Sequence, residues 1–235
     1  MLRTNSKHII NWTMIGLLGL SCYLMLRITF QYMPVQTDVA FLQIKQQYID
    51  IDVWFASFYI HVYTSIFALI AGFTQFSRNI LKRNKQLHRS FGYVYIIVVL
   101  FISGPASVVM GWYANGGISS RIGFLLLSVL WMFFTAKAFQ KARQKNFNAH
   151  RNFMIRSYAL TLSAISLRAW KYAIVYAFEP GPMDVYRIVA WLGWTGNLLI
   201  AEYIIRKRFS GSRSAKNKWY KGSVHSITRS SKTIS

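Results

Sequence analysis

Acidic side chains are nearly missing from this chain: 6 Asp and Glu stand against 28 Lys and Arg, for a formal charge of +22. Cysteine is missing but for Cys22, so no internal disulfide can form and no Cys-x-x-Cys redox or metal motif exists. That excludes iron–sulfur clusters and thiolate zinc sites. No glycine-rich nucleotide loop, His-Glu-x-x-His or Ser-His-Asp order occurs either. Whatever chemistry the chain has must rest on His, Arg, Tyr or a bound group.

What is abundant is apolar surface. Hydrophobic residues make up 54% of the chain and aromatics 17%. They gather in six runs of bilayer-spanning length, about 20 residues each: 10–30, 53–76, 91–113, 122–139, 157–178 and 188–205. The first is long for a secretory signal and lacks an Ala-x-Ala type cleavage site after it, so it is read as a span. The expected fold is all-α, a polytopic six-transmembrane-helix bundle. Residues 1–52 would hold the first span and an outer loop, 53–178 a four-helix core, 179–205 the last span, and 206–235 a basic disordered tail. The loop before residue 53 reads either as a simple surface connection or as a lid.

The charges alternate between connections. Arg3 and Lys7 precede the first span, five cations from Arg78 to Arg89 join the second to the third, and Lys141, Arg143, Lys145 and Arg151 join the fourth to the fifth. Asp38, Asp50, Asp52, Glu179 and Asp184 fall in the intervening loops. By the positive-inside rule both termini are cytoplasmic, N-in and C-in. Topology then accounts for the basic excess, which argues against nucleic acid as a partner and for anionic lipid at the cytoplasmic face. Trp12, Trp54, Trp112 and Trp191 read as interfacial belts.

Against this background Arg168 needs a reason. It lies in the middle of an apolar run, with Lys171 one helical turn further on, and a cation at a span centre costs roughly 2.5 to 3.5 kcal/mol on insertion scales. At a helical rise of about 1.5 Å per residue, His61 and Pro105 fall near the same level. His61, Arg168, Lys171, Pro105 and Tyr172 therefore form a candidate ligand site in the outer half, suited to an anion or a quinone-like guest. The same groups also fit a packing role, with Lys171 reaching lipid phosphates and Arg168 taking carbonyls freed near Pro105.

A second polar layer lies at the cytoplasmic side: His88, Arg89, His150, Arg151, Arg156 and Gln75. Its two halves resemble each other, with Phe73-Thr74 leading to His88-Arg89-Ser90-Phe91 and Tyr95, and Phe134-Thr135 leading to His150-Arg151-Asn152-Phe153 and Tyr158. Placed just ahead of helix starts, these pairs suit phosphate, carboxylate or haem propionates, or serve as ordinary basic flanks. His88 and His150, with His61 as an alternative, are the candidate ligands of a b-type haem.

The stretches Gly72-Phe73-Thr74-Gln75-Phe76, Leu87-His88-Arg89-Ser90-Phe91-Gly92-Tyr93-Val94-Tyr95, Gly116-Gly117, Gly123-Phe124, Trp131, His150-Arg151-Asn152-Phe153-Met154-Ile155-Arg156-Ser157-Tyr158-Ala159-Leu160 and Leu167-Arg168 resemble a bacterial family of predicted membrane proteins, domain of unknown function 2306. That resemblance implies a multi-pass protein of the bacterial cytoplasmic membrane with no settled biochemistry, so whether it is an enzyme stays open. Histidines on neighbouring membrane helices are also similar, more loosely, to b561-type cytochromes, which use two His pairs where this chain has three His in or beside its core spans. Three functions make different demands on these residues: electron transfer through haem or quinone with a redox partner, binding or transport of an anion, and structural assembly with no ligand.

Overall fold

The computed structural model describes residue 16 and residues 19–230. The helices run α1 Gly19–Phe30, α2 Asp52–Gln75, α3 Arg78–Arg83, α4 Lys85–Ile97, α5 Ser103–Trp112, α6 Gly117–Arg143, α7 Phe147–Thr161, α8 Ser163–Phe178 and α9 Pro182–Ser230. Among the described residues four stretches are long and apolar enough to cross a membrane: Asp52–Gln75, Lys85–Trp112, Gly117–Arg143 and Pro182–Arg208. The expected first span is described only in part, through the short apolar α1, and Arg3, Lys7, His8 and Trp12 lie outside the described residues.

One expectation needs correction. The run 157–178 is not one helix: α7 ends at Thr161, Leu162 carries ψ −11°, and α8 starts afresh at Ser163. Thr161, Ser163 and Ser166 stand at this junction, and hydroxyls of Thr161 and Ser166 reach back to carbonyls four residues earlier, a competition with the helical ladder that bends helices. The last helix, α9, runs to Ser230, with no interior proline beyond 182 to stop it.

Helices α2, α4–α5, α6, α7 and α9 pack side by side, with α8 laid on α9. Their common core joins Leu69, Tyr95, Val99, Trp131, Tyr158 and Trp194, and Met25 and Leu26 of α1 lean on it. Pro105 cannot donate a hydrogen bond back along its helix, and the chain opens into one wide π turn over Val98–Ile102 just before it. Gly116 and Gly117, at φ 80° and 81°, make the tight turn into α6.

The two ends of the bundle are finished differently. At one end, the segment 31–51 folds into a cap whose Tyr32 and Leu42 pack on Trp54, Phe58 and Tyr59 of α2. At the other, basic end, Asn84 and Asn146 cap α4 and α7, accepting from Leu87 N at 2.8 Å and Ala149 N at 3.1 Å. Each Asn lies four residues before a His-Arg pair, a part of the sequence echo beyond the residues that first revealed it. The pairs accordingly sit inside the first helical turns, not ahead of them.

Candidate functional site

Beneath the cap lies a cavity of about 370 Å³, walled by α1, α2, α5, α6 and the α7–α8 junction. Most of its lining is aliphatic or aromatic. Among the described residues the ionisable groups in that lining are Tyr32, Lys45, His61, Arg168, Lys171 and Tyr186, and no carboxylate is among them. Of the five residues that sequence depth brought together, His61, Arg168 and Lys171 share this cavity, whereas Pro105 and Tyr172 do not line it and are exposed.

His61 is fixed by Ser103, whose carbonyl and hydroxyl oxygens both lie 3.0 Å from Nδ1. Arg168, half-buried, donates from Nη1 to Ala164 O of its own helix at 2.7 Å. The carbonyl near Pro105 is thus met by the imidazole and not by the guanidinium. Asn197 ties helices together, donating to Ala159 O and accepting from Ser166 Oγ.

Sequence reasoning missed Lys45. It comes from the cap, is only 2% exposed, and lines the cavity. Its Nζ donates to Tyr113 O at 2.5 Å and Asn115 Oδ1 at 2.8 Å, in the α5–α6 turn. The rings of Phe41, Tyr48 and Trp54 stand 5.8, 4.8 and 5.9 Å from it, a cation–π cage. Burial, with repulsion from Arg121 behind it, lowers this ammonium to about 8. Trp54 is accordingly 1% exposed, a buried wall of the cage and not an interfacial belt residue. An aromatic-rich connection holding one interior lysine was the available signal.

Also missed was a chain of hydroxyls under the cavity floor. Thr135 Oγ1 donates to Trp131 O at 2.8 Å, so its oxygen must accept from Ser157 Oγ at 2.7 Å. Ser157 must then accept from Tyr95 OH, also at 2.7 Å, and Tyr95 from Thr161 Oγ1 at 2.8 Å. Thr161 accepts from Trp131 Nε1 at 2.9 Å. One proton per hydroxyl gives the circuit its direction, from the Trp131 ring around to its own carbonyl, with the Thr161 proton shared between Tyr95 OH at 2.8 Å and Ser157 O at 3.3 Å. The circuit ties α4, α6 and α7 in a part of the core where each of these side chains is buried, and removing any member strands its neighbours.

At the basic end His150 Nδ1 meets Ala138 O at 2.9 Å, while His88 Nδ1 is buried without a partner. The two imidazoles are near enough to interact electrostatically. Gln75 donates to His88 O at 3.1 Å. Arg156 is engaged elsewhere: it forms a bidentate pair with Glu202 of α9, at 2.5 and 3.0 Å. Glu202 is the one acid that sequence inspection left unplaced, because it stands among the apolar residues of the last span. Arg89 and Arg151 are exposed at this end. Among the described residues no three His, Cys, Asp or Glu side chains cluster as a metal site.

Comparison with curated proteins and with solved structures finds no match. A family model does match: it covers residues 58–205, which takes in the cavity-lining His61 and Arg168, the hydroxyl circuit, both His-Arg pairs and Glu202. The chain belongs to the family of predicted membrane proteins DUF2306.

Proposed function

We propose that this protein binds a small acidic amphiphile in the cavity beneath the cap, with His61, Arg168, Lys171 and Lys45 receiving the acid and the aromatic and aliphatic walls receiving its apolar body. One observation carries the reading: an apolar cavity whose charged lining is entirely basic. Cations desolvated without a carboxylate nearby are costly, and an anionic guest offsets that cost. About 370 Å³ lies within the range of small-ligand sites, which are mostly apolar with a few orienting polar groups. With His61 Nδ1 held by Ser103, Nε2 is left to a guest, accepting from an acid O–H while the ring is neutral and donating to a carboxylate once the ring is protonated.

In this reading the chain crosses the bacterial cytoplasmic membrane six times, α7–α8 forming the broken fifth crossing. Both termini are cytoplasmic, the cap faces outward, and the basic end lies against anionic lipid. Broken helices at a cavity are a recurrent way of presenting polar groups inside a membrane. A second reading, a b-type haem between His88 and His150, draws on the unpartnered Nδ1 of His88.

Titrating purified protein with 9,10-dibromostearate tests the first reading, since bromine quenches Trp54 and Trp131 in the cavity wall. Saturable quenching is expected, with Arg168→Gln weakening it about tenfold to a hundredfold, the worth of an ionic hydrogen bond of about 1.5 to 3 kcal/mol. Quenching that is unsaturable or indifferent to Arg168 contradicts the reading. A Soret band in the purified protein, lost on His88→Ala, selects the second.

A further inference from the structure

We infer that the guest reaches this cavity sideways, past α8, and is therefore an acidic lipid of the bilayer and not a solute of the aqueous phase. The inference rests on the binding reading above and adds the route and the source of the ligand.

The roof is shut. Leu42, Lys45, Trp54 and Phe58 are between 0% and 2% exposed. The cap they build is fastened at several points: Tyr59 OH donates to Gln36 O at 2.6 Å and accepts from Gln36 N at 2.8 Å, Tyr63 OH donates to Tyr32 O at 2.6 Å, and Asn115 Nδ2 donates to Ile44 O at 3.1 Å. Together with the two bonds of Lys45 these join the cap to α2 and to the α5–α6 turn. A guest from water would have to break most of them.

The side is open. Among the described residues, every one lining the cavity is buried or half-buried except Ala164 and Lys171, and both belong to α8. That helix packs on α9 and touches α7, and α2 is not among its principal neighbours. In a bilayer the face that carries these two residues meets lipid. The charges form a graded path inward: Lys171 exposed at the mouth, Arg168 half-buried one turn deeper, and His61 on the far wall. A carboxylate or phosphate group would pass from the ammonium to the guanidinium while its chain stays in hydrocarbon, so neither part is desolvated without a partner. Both head groups suit the cations, and the apolar remainder of the molecule is what the route selects.

The test uses the full chain in lipid nanodiscs and reads tryptophan quenching by two brominated acids, 9,10-dibromostearate supplied in the bilayer and 3-bromopropionate supplied in water. Ala164→Phe narrows the mouth at an exposed position where folding is little affected. Gln47→Cys with Asn115→Cys, on a Cys22→Ala background and bridged by a bis-maleimide, locks the cap to the α5–α6 turn, where these two side chains already meet. Dibromostearate should quench the unmodified protein, associate about tenfold more slowly with Ala164→Phe, and quench the double-cysteine variant alike before and after the bridge closes, a comparison in which the loss of the Asn115 bonds to Lys45 and Ile44 O cancels. Binding that survives Ala164→Phe but stops when the cap is locked overturns the lateral route. Saturable quenching by bromopropionate at concentrations like those of dibromostearate overturns the lipid assignment and leaves the binding reading standing. If neither acid quenches the unmodified protein saturably, the binding reading itself falls, and the route with it.

Discussion

Replacing Gly72 with alanine is expected to lower the stability of the purified protein by about 3 kcal/mol, the upper part of the range for inserting a group into a well-packed core. A methyl group there would lie 2.5 Å from Cδ2 and Cε2 of Tyr158 and 2.9 Å from Cε2 of Tyr95. Neither ring can step aside cheaply. Tyr158 is held through its hydroxyl to Leu69 O at 3.1 Å, and Tyr95 is the middle of the hydroxyl circuit. Moving Tyr95 leaves Ser157 and Thr161 without their partner in a place water does not reach, and each buried polar group so stranded costs about 1 to 3 kcal/mol. Gly196→Ala is the control, because nothing lies within 4 Å of the group it would add. That substitution should be neutral or slightly stabilising, as glycine inside a helix is about 0.5 to 1 kcal/mol worse than alanine. Denaturant unfolding of both variants in the same detergent decides the matter; equal midpoints would mean that α2 does not pack on α4 and α7 as described.

The second large effect concerns pH and Lys45. Its ammonium is lowered from 10.5 to about 8 in the folded protein, chiefly by burial. Between those two values the unfolded chain holds a proton that the folded chain has released, so stability rises with pH across this window. Below about 8 both states carry the proton and the folded state bears the full penalty; above 10.5 neither does, and the penalty is gone. A displacement of this size corresponds to about 3 kcal/mol. Other lysines and the tyrosines titrate in the same range, so the measurement is a difference. Thermal unfolding of the natural protein, minus that of Lys45→Met, should climb by about that amount from pH 8 to 10.5. A flat difference would place the ammonium in water, outside its cage of Phe41, Tyr48 and Trp54.

How far these features can be read from the sequence depends on whether they follow a period. The apolar runs are long and regular, so the helices α2, α4–α5, α6 and α9 could be placed by counting. Depth counting also put His61, Arg168 and Lys171 on one level, since rise per residue is the same in every helix. It could not say which way a side chain points. Pro105 and Tyr172 share that level and face away, because a rotation of one residue turns a helix face by about 100 degrees. The break at Leu162 carries neither proline nor glycine, and hydroxyls competing for carbonyls leave the apolar pattern intact. Lys45 was hidden for another reason: an isolated lysine in a connection reads as solvated, and only the assembled rings of the cap remove it from water. Arg156 and Glu202 lie 46 positions apart on different helices, a pairing no local pattern announces.

An acid-binding role requires the cavity beneath the cap to hold a guest. The most direct measurement is an experimental structure of the protein in nanodiscs doped with oleate. The account predicts an elongated density that leads from the lipid side of α8 to a head group within hydrogen-bond distance of Arg168, with the cap closed above it. A cavity filled only by side chains, with the Arg168 guanidinium turned out to the phosphates of surrounding lipid, would contradict it.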